Sequence, residues 1–134
     1  MLDHLTIAVR DVERSKRFYD LVLCPLGIER LYAEGDLFAG YGVRPKAFFW
    51  IGQRDAPQTS VHVAFTAPDR ATVDRFHQAA LEAGGADNGK PGLRPHCHRD
   101  YYGAFVLVPA GHNIEAVGHA PDADPARREQ PGAD

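Results

Sequence analysis

Cysteine is scarce in this chain. Its two cysteines, Cys24 and Cys97, sit in unlike contexts, which argues against a disulfide framework and fits reduced thiols in a cytosol. Both are expected as small buried or half-buried residues. No apolar run approaches the roughly 20 residues that a membrane span needs. The first residues also lack the charged and apolar blocks of a signal peptide. A cytoplasmic protein with no membrane partner is therefore expected. Positive charge is not in excess: 15 Lys and Arg against 18 Asp and Glu leave a net charge of −3. That balance argues against a nucleic-acid partner, which would call for a basic face. What remains is an ordinary globular composition, 44% hydrophobic over 134 residues, long enough for one domain with a real core.

Within that composition the chain repeats itself. Asp3-His4-Leu5-Thr6-Ile7-Ala8-Val9 and Val61-His62-Val63-Ala64-Phe65 are apolar strands, each with one histidine, displaced by 58 positions. At the same offset Asp11 matches Asp69, Arg17 matches Arg75, Phe18 matches Phe76, Leu23 matches Leu81 and Gly27 matches Gly85. A gap-free offset that pairs histidine, helix start, helix aromatic and closing glycine marks two copies of one supersecondary unit.

In each copy a strand leads into a helix. Residues 3–9 read as a strand. Asp11 is a plausible N-cap, and Val12, Ser15, Phe18, Tyr19, Val22 and Leu23 recur at helical spacing until Pro25 and Gly27. Ile28–Ala33, Asp36–Tyr41 and Ala47–Ile51 follow as short strands, so the unit is βαβββ. Gln53–Thr59 reads as a linker. The second copy opens with the strand Ser60–Thr66. Its helix starts at Pro68-Asp69, places Val73, Phe76, Ala80 and Leu81 on one face and stops at Gly84-Gly85. Asp87–Asp100, punctuated by glycine and proline, reads as a long loop in place of the first copy's hairpin. Tyr101–Val108 and Ile114–Gly118 are strands joined by Pro109-Ala110-Gly111-His112-Asn113. The expected organisation is a single α+β domain over 1–119, with modules of about 1–52 and 60–119 and a flexible tail over 120–134.

His4, His62 and Glu115 form the strongest candidate constellation. Taken singly, a histidine on an apolar strand is more often a satisfied core residue than a ligand, and Glu115 is equally at home facing solvent from an edge strand. The repeat changes the weighing. Equivalent strands of two copies commonly pair about a pseudo-twofold axis, which would bring His4 toward His62, with Glu115 on the last strand nearby. Two imidazoles and a carboxylate on rigid strands are the facial triad suited to Fe(II) and other divalent ions. A second cluster, Arg94-Pro95-His96-Cys97-His98-Arg99-Asp100-Tyr101-Tyr102, reads either as a solvated loop or as a pocket rim. In the latter, imidazole serves proton transfer and arginine an anionic group. Strand parity turns Tyr101, Gly103 and Phe105 toward the Glu115 face and Tyr102 away from it. His77 and His112 are expected to face solvent, and His119 either borders the pocket or ends the strand. Phe38, Tyr41, Phe49 and Trp50 lie on strands of the first copy, and some of them are expected to line a cup.

Across these stretches the sequence resembles the vicinal oxygen chelate superfamily, the group of glyoxalases, bleomycin-resistance proteins and extradiol dioxygenases. The resemblance runs from Leu2 to about His119. It rests on Asp3-His4-Leu5-Thr6 with Asp11 through Tyr19, on Val61-His62-Val63-Ala64-Phe65, and on Pro109 through Val117. The last is similar to the family's DPDGN/H-x-IE turn and strand, with Val108 and Ala110 in place of the two aspartates. The resemblance implies two tandem βαβββ modules forming a cup-shaped mixed sheet around a divalent metal (Fe, Mn, Zn or Ni) held at His4, His62 and Glu115. By analogy it also implies a homodimer, in which modules are sometimes exchanged between subunits.

Departures from the pattern narrow the activity. Glyoxalase I–like members carry a fourth ligand, a glutamate, where this chain has Phe48-Phe49-Trp50. The three-ligand pattern is closer to extradiol dioxygenases and fosfomycin-modifying transferases. Extradiol enzymes commonly hold a tyrosine ten residues before the metal glutamate, where this chain has Phe105. They also keep a histidine before that strand, a place His96 or His98 could take. The expectation is a metal-dependent lyase, isomerase or dioxygenase acting on a vicinally oxygenated small molecule, with Tyr101, His96 and His98 as catalytic candidates. The alternative is a metal-free sequestering protein of the bleomycin-resistance type.

Overall fold

A computed structural model describes residues 2–55, 61–95 and 99–121. The N-terminal unit consists of β1 (Leu5–Val9), α1 (Val12–Val22), a 3-10 turn at Cys24–Leu26, β2 (Glu29–Glu34), β3 (Phe38–Val43) and β4 (Lys46–Gln53). The second consists of β5 (His62–Thr66), α2 (Arg70–Glu82), β6 (Ala86–Leu93), β7 (Tyr102–Leu107) and β8 (Asn113–Gly118). Each unit folds into its own four-stranded mixed sheet, ordered β1-β4-β3-β2 and β5-β8-β7-β6. In both, the first strand runs parallel to the last and the other pairs are antiparallel. The two copies therefore share one topology, as the repeat demands.

The helices begin where the repeated aspartates allow them to. Asp11 Oδ1 accepts the Arg14 amide at 3.0 Å, and Asp69 Oδ1 accepts the Thr72 amide at 2.8 Å, each satisfying an otherwise orphaned N–H. The closing glycines, by contrast, answer different needs. Gly27 has φ 76°, a left-handed turn that side chains resist. Gly85 makes room instead: a Cβ there would lie 2.6 Å from Val106 and 3.2 Å from the Phe18 ring.

Each helix covers one face of its sheet, and alternation along the strands sends apolar residues to that face. Ile7, Val9, Tyr41, Phe49 and Ile51 are buried under α1, and Phe65, Ala104, Val106, Ile114 and Ala116 under α2. The two buried layers merge into one core through aromatic contacts. Tyr19 meets Phe49 at 5.0 Å, and Phe49 meets Phe65 of the other unit at 5.2 Å, both edge-on. Among the described residues, no helix covers the opposite face of either sheet.

Several expectations need correction. Asp87–Asp100 is not a long loop, because Ala86–Leu93 forms the edge strand β6. Its glycines and Pro91 appear as register shifts between Asp87 and Gly89 and between Gly89 and Gly92, and an edge strand accommodates both. Leu81 is 41% exposed, while Val73, Phe76 and Ala80 are buried; at 100° per residue it falls beyond the edge of their stripe. Cys24 is exposed because it opens the 3-10 turn. His77 is buried, with Nε2 2.9 Å from Asp87 Oδ1 of β6. His112 is wholly buried, since the turn after β7 folds it inward rather than into solvent. Finally, β1 and β5 do not pair: each forms the outer edge of its own sheet.

Candidate functional site

The open face of the second sheet carries the polar side chains of interest. β5 and β8 run side by side with Ala64 opposite Glu115, and β7 puts Phe105 opposite Glu115 on its other side. Residues two apart on a strand share a face, so His62, Glu115, Gly103 and Phe105 all point to the open side while Tyr102 turns to the helix. Tyr102 accordingly sits beneath α2, its hydroxyl donating to Asp74 Oδ1 at 2.7 Å and its ring lying under the Arg70 guanidinium.

On that face His62 Nε2 lies 2.9 Å from Glu115 Oε1. The Tyr101 hydroxyl donates to the other carboxylate oxygen, Glu115 Oε2. Gly103 permits that approach, since a Cβ there would stand 3.1 Å from the Tyr101 ring and 3.3 Å from Glu115 Oε2. The carboxylate is 2% exposed, whereas half of the His62 side chain is open to solvent. A buried acid with a phenol behind it and an exposed imidazole in front has its polar demands met and still faces outward. Around this group the His62 ring meets Phe105 at 5.9 Å, and the Arg94 guanidinium lies over the same Phe105 ring, 5.7 Å from its centroid. Arg94 is itself buried, and its Nη2 donates to the Lys90 carbonyl at 2.8 Å. His119 packs edge-on against Tyr101 at 5.4 Å, so it borders the group.

The other candidates lie elsewhere. His4 precedes β1 on the first sheet, its Nδ1 2.6 Å from Asp3 Oδ2, an oxygen that also takes Lys46 Nζ at 2.7 Å. The lysine is the main reason the Asp3 carboxyl sits below its ordinary pKa, with the imidazole contributing. Within one chain, His4 does not join His62 and Glu115: among the described residues no three His, Cys, Asp or Glu side chains gather closely enough to hold a metal ion. His96 and His98, with Cys97, lie outside the described residues. Of the aromatics among which some are expected to line a cup, Phe38 and Trp50 border a cavity on the open side of the first sheet, while Tyr41 and Phe49 belong to the buried core. Arg54 and Thr6 border it too. Sequence reasoning passed over both, although Thr6 lies only two residues beyond His4.

An imidazole and a carboxylate are donor types that divalent ions accept, and one of each meets here. No helix among the described residues is long and apolar enough to cross a membrane.

The profile of the Glyoxalase/Bleomycin resistance protein/Dioxygenase superfamily matches residues 1–116. No curated protein gives a significant match. Among solved structures, the chain is similar to a glyoxalase/bleomycin resistance protein from Albidiferax ferrireducens T118, at 29% identity and a TM-score of 0.76, covering 90% of this chain and 99% of that one. A glyoxalase-related enzyme from Fulvimarina pelagi has the same fold, at 17% identity and a TM-score of 0.70, covering 92% and 94%. So does a lactoylglutathione lyase from Agrobacterium tumefaciens, at 16% and 0.67, covering 88% and 92%. With the profile spanning nearly all of the described residues and both βαβββ units in place, the chain belongs to the glyoxalase/bleomycin resistance protein/dioxygenase superfamily.

Proposed function

We propose that this protein is a divalent-metal-dependent enzyme acting on a small molecule with two adjacent oxygens, by lyase, isomerase or dioxygenase chemistry. The observation that carries the reading is the pairing of His62 with a buried Glu115 on an open sheet face, backed by the Tyr101 hydroxyl. His62 Nε2 and Glu115 Oε1 are the donors this chain offers. A third comes from His4 of a second copy, because His4 stands on the other sheet and away from the pair. The functional unit in this reading is a homodimer.

A bound divalent ion would supply Lewis-acid polarisation of the substrate's paired oxygens. The rest falls to the protein. Glu115, buried and already accepting from Tyr101, is pre-oriented and gives up little hydration on binding a cation. Tyr101 keeps a proton at its hydroxyl beside the reacting position, and His96 and His98, close before it in sequence, are the further candidates for proton transfer. Phe105 and the buried Arg94 stiffen the wall against which His62 rests.

A second reading, a metal-free sequestering protein, draws on the aromatic open face of the first sheet. Elemental analysis of purified protein separates the two. The enzyme reading expects a divalent metal that disappears in His62→Ala, followed by oxygen uptake with a catechol if the chemistry is dioxygenation. Protein free of metal after growth in Mn, Fe, Zn and Ni would favour sequestration.

A further inference from the structure

The open face of the first sheet has a construction that the metal reading does not use. Register places Thr6 beside Trp50, Trp50 beside Gly40 and Gly40 beside Tyr32, a single row across four strands. Gly40 contributes no side chain, and a Cβ there would stand 2.5 Å from a Trp50 ring carbon, so the indole lies over that strand. Tyr32 extends the surface, nearly parallel to the indole at 5.8 Å. Phe38 stands at the indole's edge at 6.0 Å and a 56° tilt. The next row runs Ala8, Gly52, Phe38. Gly52 is again a gap, and the Arg54 guanidinium fills the space above it, its Nη1 3.6 Å from where a Cβ would be.

Arg54 Nη1 donates to the Gln53 carbonyl at 2.7 Å, and the guanidinium forms no ion pair among the described residues. Of these groups Thr6, Phe38, Trp50 and Arg54, with Leu37 and Gln53, bound a cavity of about 460 Å³. That volume suits a small molecule rather than a protein surface. Its floor is an aromatic plane, which favours a flat ring by stacking. Its end is a guanidinium without a carboxylate partner, which favours a planar anion that can accept two hydrogen bonds.

We propose that this cavity binds an aromatic acid, its ring on Trp50 and its carboxylate on Arg54. The assignment deepens the function proposed above and rests on it for one point. His4 directly precedes β1 and Thr6 lies two residues further along, a separation of roughly 7 Å in extended chain. A ring held at Trp50 would therefore reach the ion with adjacent oxygens at its far edge. The substrate class is an oxygenated aromatic carboxylate.

Trp50 is the only tryptophan of the chain, so its emission reports on the cavity alone. The experiment titrates EDTA-treated protein with benzoate, benzyl alcohol and cyclohexanecarboxylate, following Trp50 fluorescence. Benzoate is expected to give a saturable change, with the neutral and the non-planar analogues at least about tenfold weaker. Arg54→Gln should weaken benzoate about tenfold, as losing one charge-assisted hydrogen bond does, with part of the affinity kept in Arg54→Lys. Arg54 is exposed, so neither variant threatens folding. No saturable response to benzoate, equal responses to all three compounds, or unchanged affinity in Arg54→Gln would each overturn the assignment. Because the titration is run without metal, a later failure to bind Mn(II) would remove the metal reading and leave a benzoate response standing.

Discussion

At the scale of single residues, the proposed function rests on Glu115 and the two groups touching it. The Tyr101 hydroxyl holds Glu115 Oε2 in place, so Tyr101→Phe should lower divalent-metal affinity about tenfold or more without altering the fold. Calorimetric titration with Mn(II), alongside a circular dichroism spectrum, checks it. His112 makes a prediction of a different kind. Burial holds its pKa below the ordinary 6.5, opposed by hydrogen bonding with the Ala8 backbone. The unfolded chain then takes up a proton that the folded chain refuses, so stability falls as pH drops through about 6.5 toward the folded value. The melting temperature should decline from about pH 7 to pH 5, and His112→Gln should flatten that decline. An equally steep slope in the variant would mean that other groups control it. Tyr101, Gly103 and Phe105 were readable at this scale because strand parity is a local rule. The burial of His77 and His112 was not, because each imidazole's surroundings come from an element distant in the sequence or from the path of a turn.

Elements show the same division between local and distant causes. The N-caps at Asp11 and Asp69 were legible, because a cap needs only its own helix. Asp69→Ala should cost about 1 kcal/mol, read by urea denaturation, since its carboxylate accepts from both the Thr72 amide and the Thr72 hydroxyl. The edge strand β6 was not legible. Glycine and proline, taken as loop signals, instead set the two register shifts through which β6 pairs with β7. Gly85 shows how one sequence match can conceal two causes. It pairs with Gly27 in the repeat, yet Gly27 is required by its backbone angle and Gly85 by its neighbours. Gly85→Ala should therefore destabilise by about 1–3 kcal/mol through overpacking against Val106 and the Ala80 carbonyl.

The whole molecule is two similar sheets sharing one core, and Phe49 lies where they meet. It is 1% exposed and contacts Tyr19 on its own side and Phe65 across the junction. Phe49→Ala should cost about 3–5 kcal/mol, seen as a single lowered unfolding transition. The duplicated architecture was legible from the 58-residue offset, but the relation between the copies was not. Periodicity says which face of a strand is apolar; it does not say whether the other face meets its counterpart in the same chain or in another. That is why His4 and His62, matched in sequence, stand on separate sheets. The central claim is that His62 and Glu115 hold a divalent ion, and the free Mn(II) signal in electron paramagnetic resonance tests it most directly. Titrating ion into apo-protein should suppress the signal up to one ion per chain, and Glu115→Ala should restore it from the first addition. A full free-ion signal with the wild-type protein, or identical titrations for wild type and variant, would contradict the account.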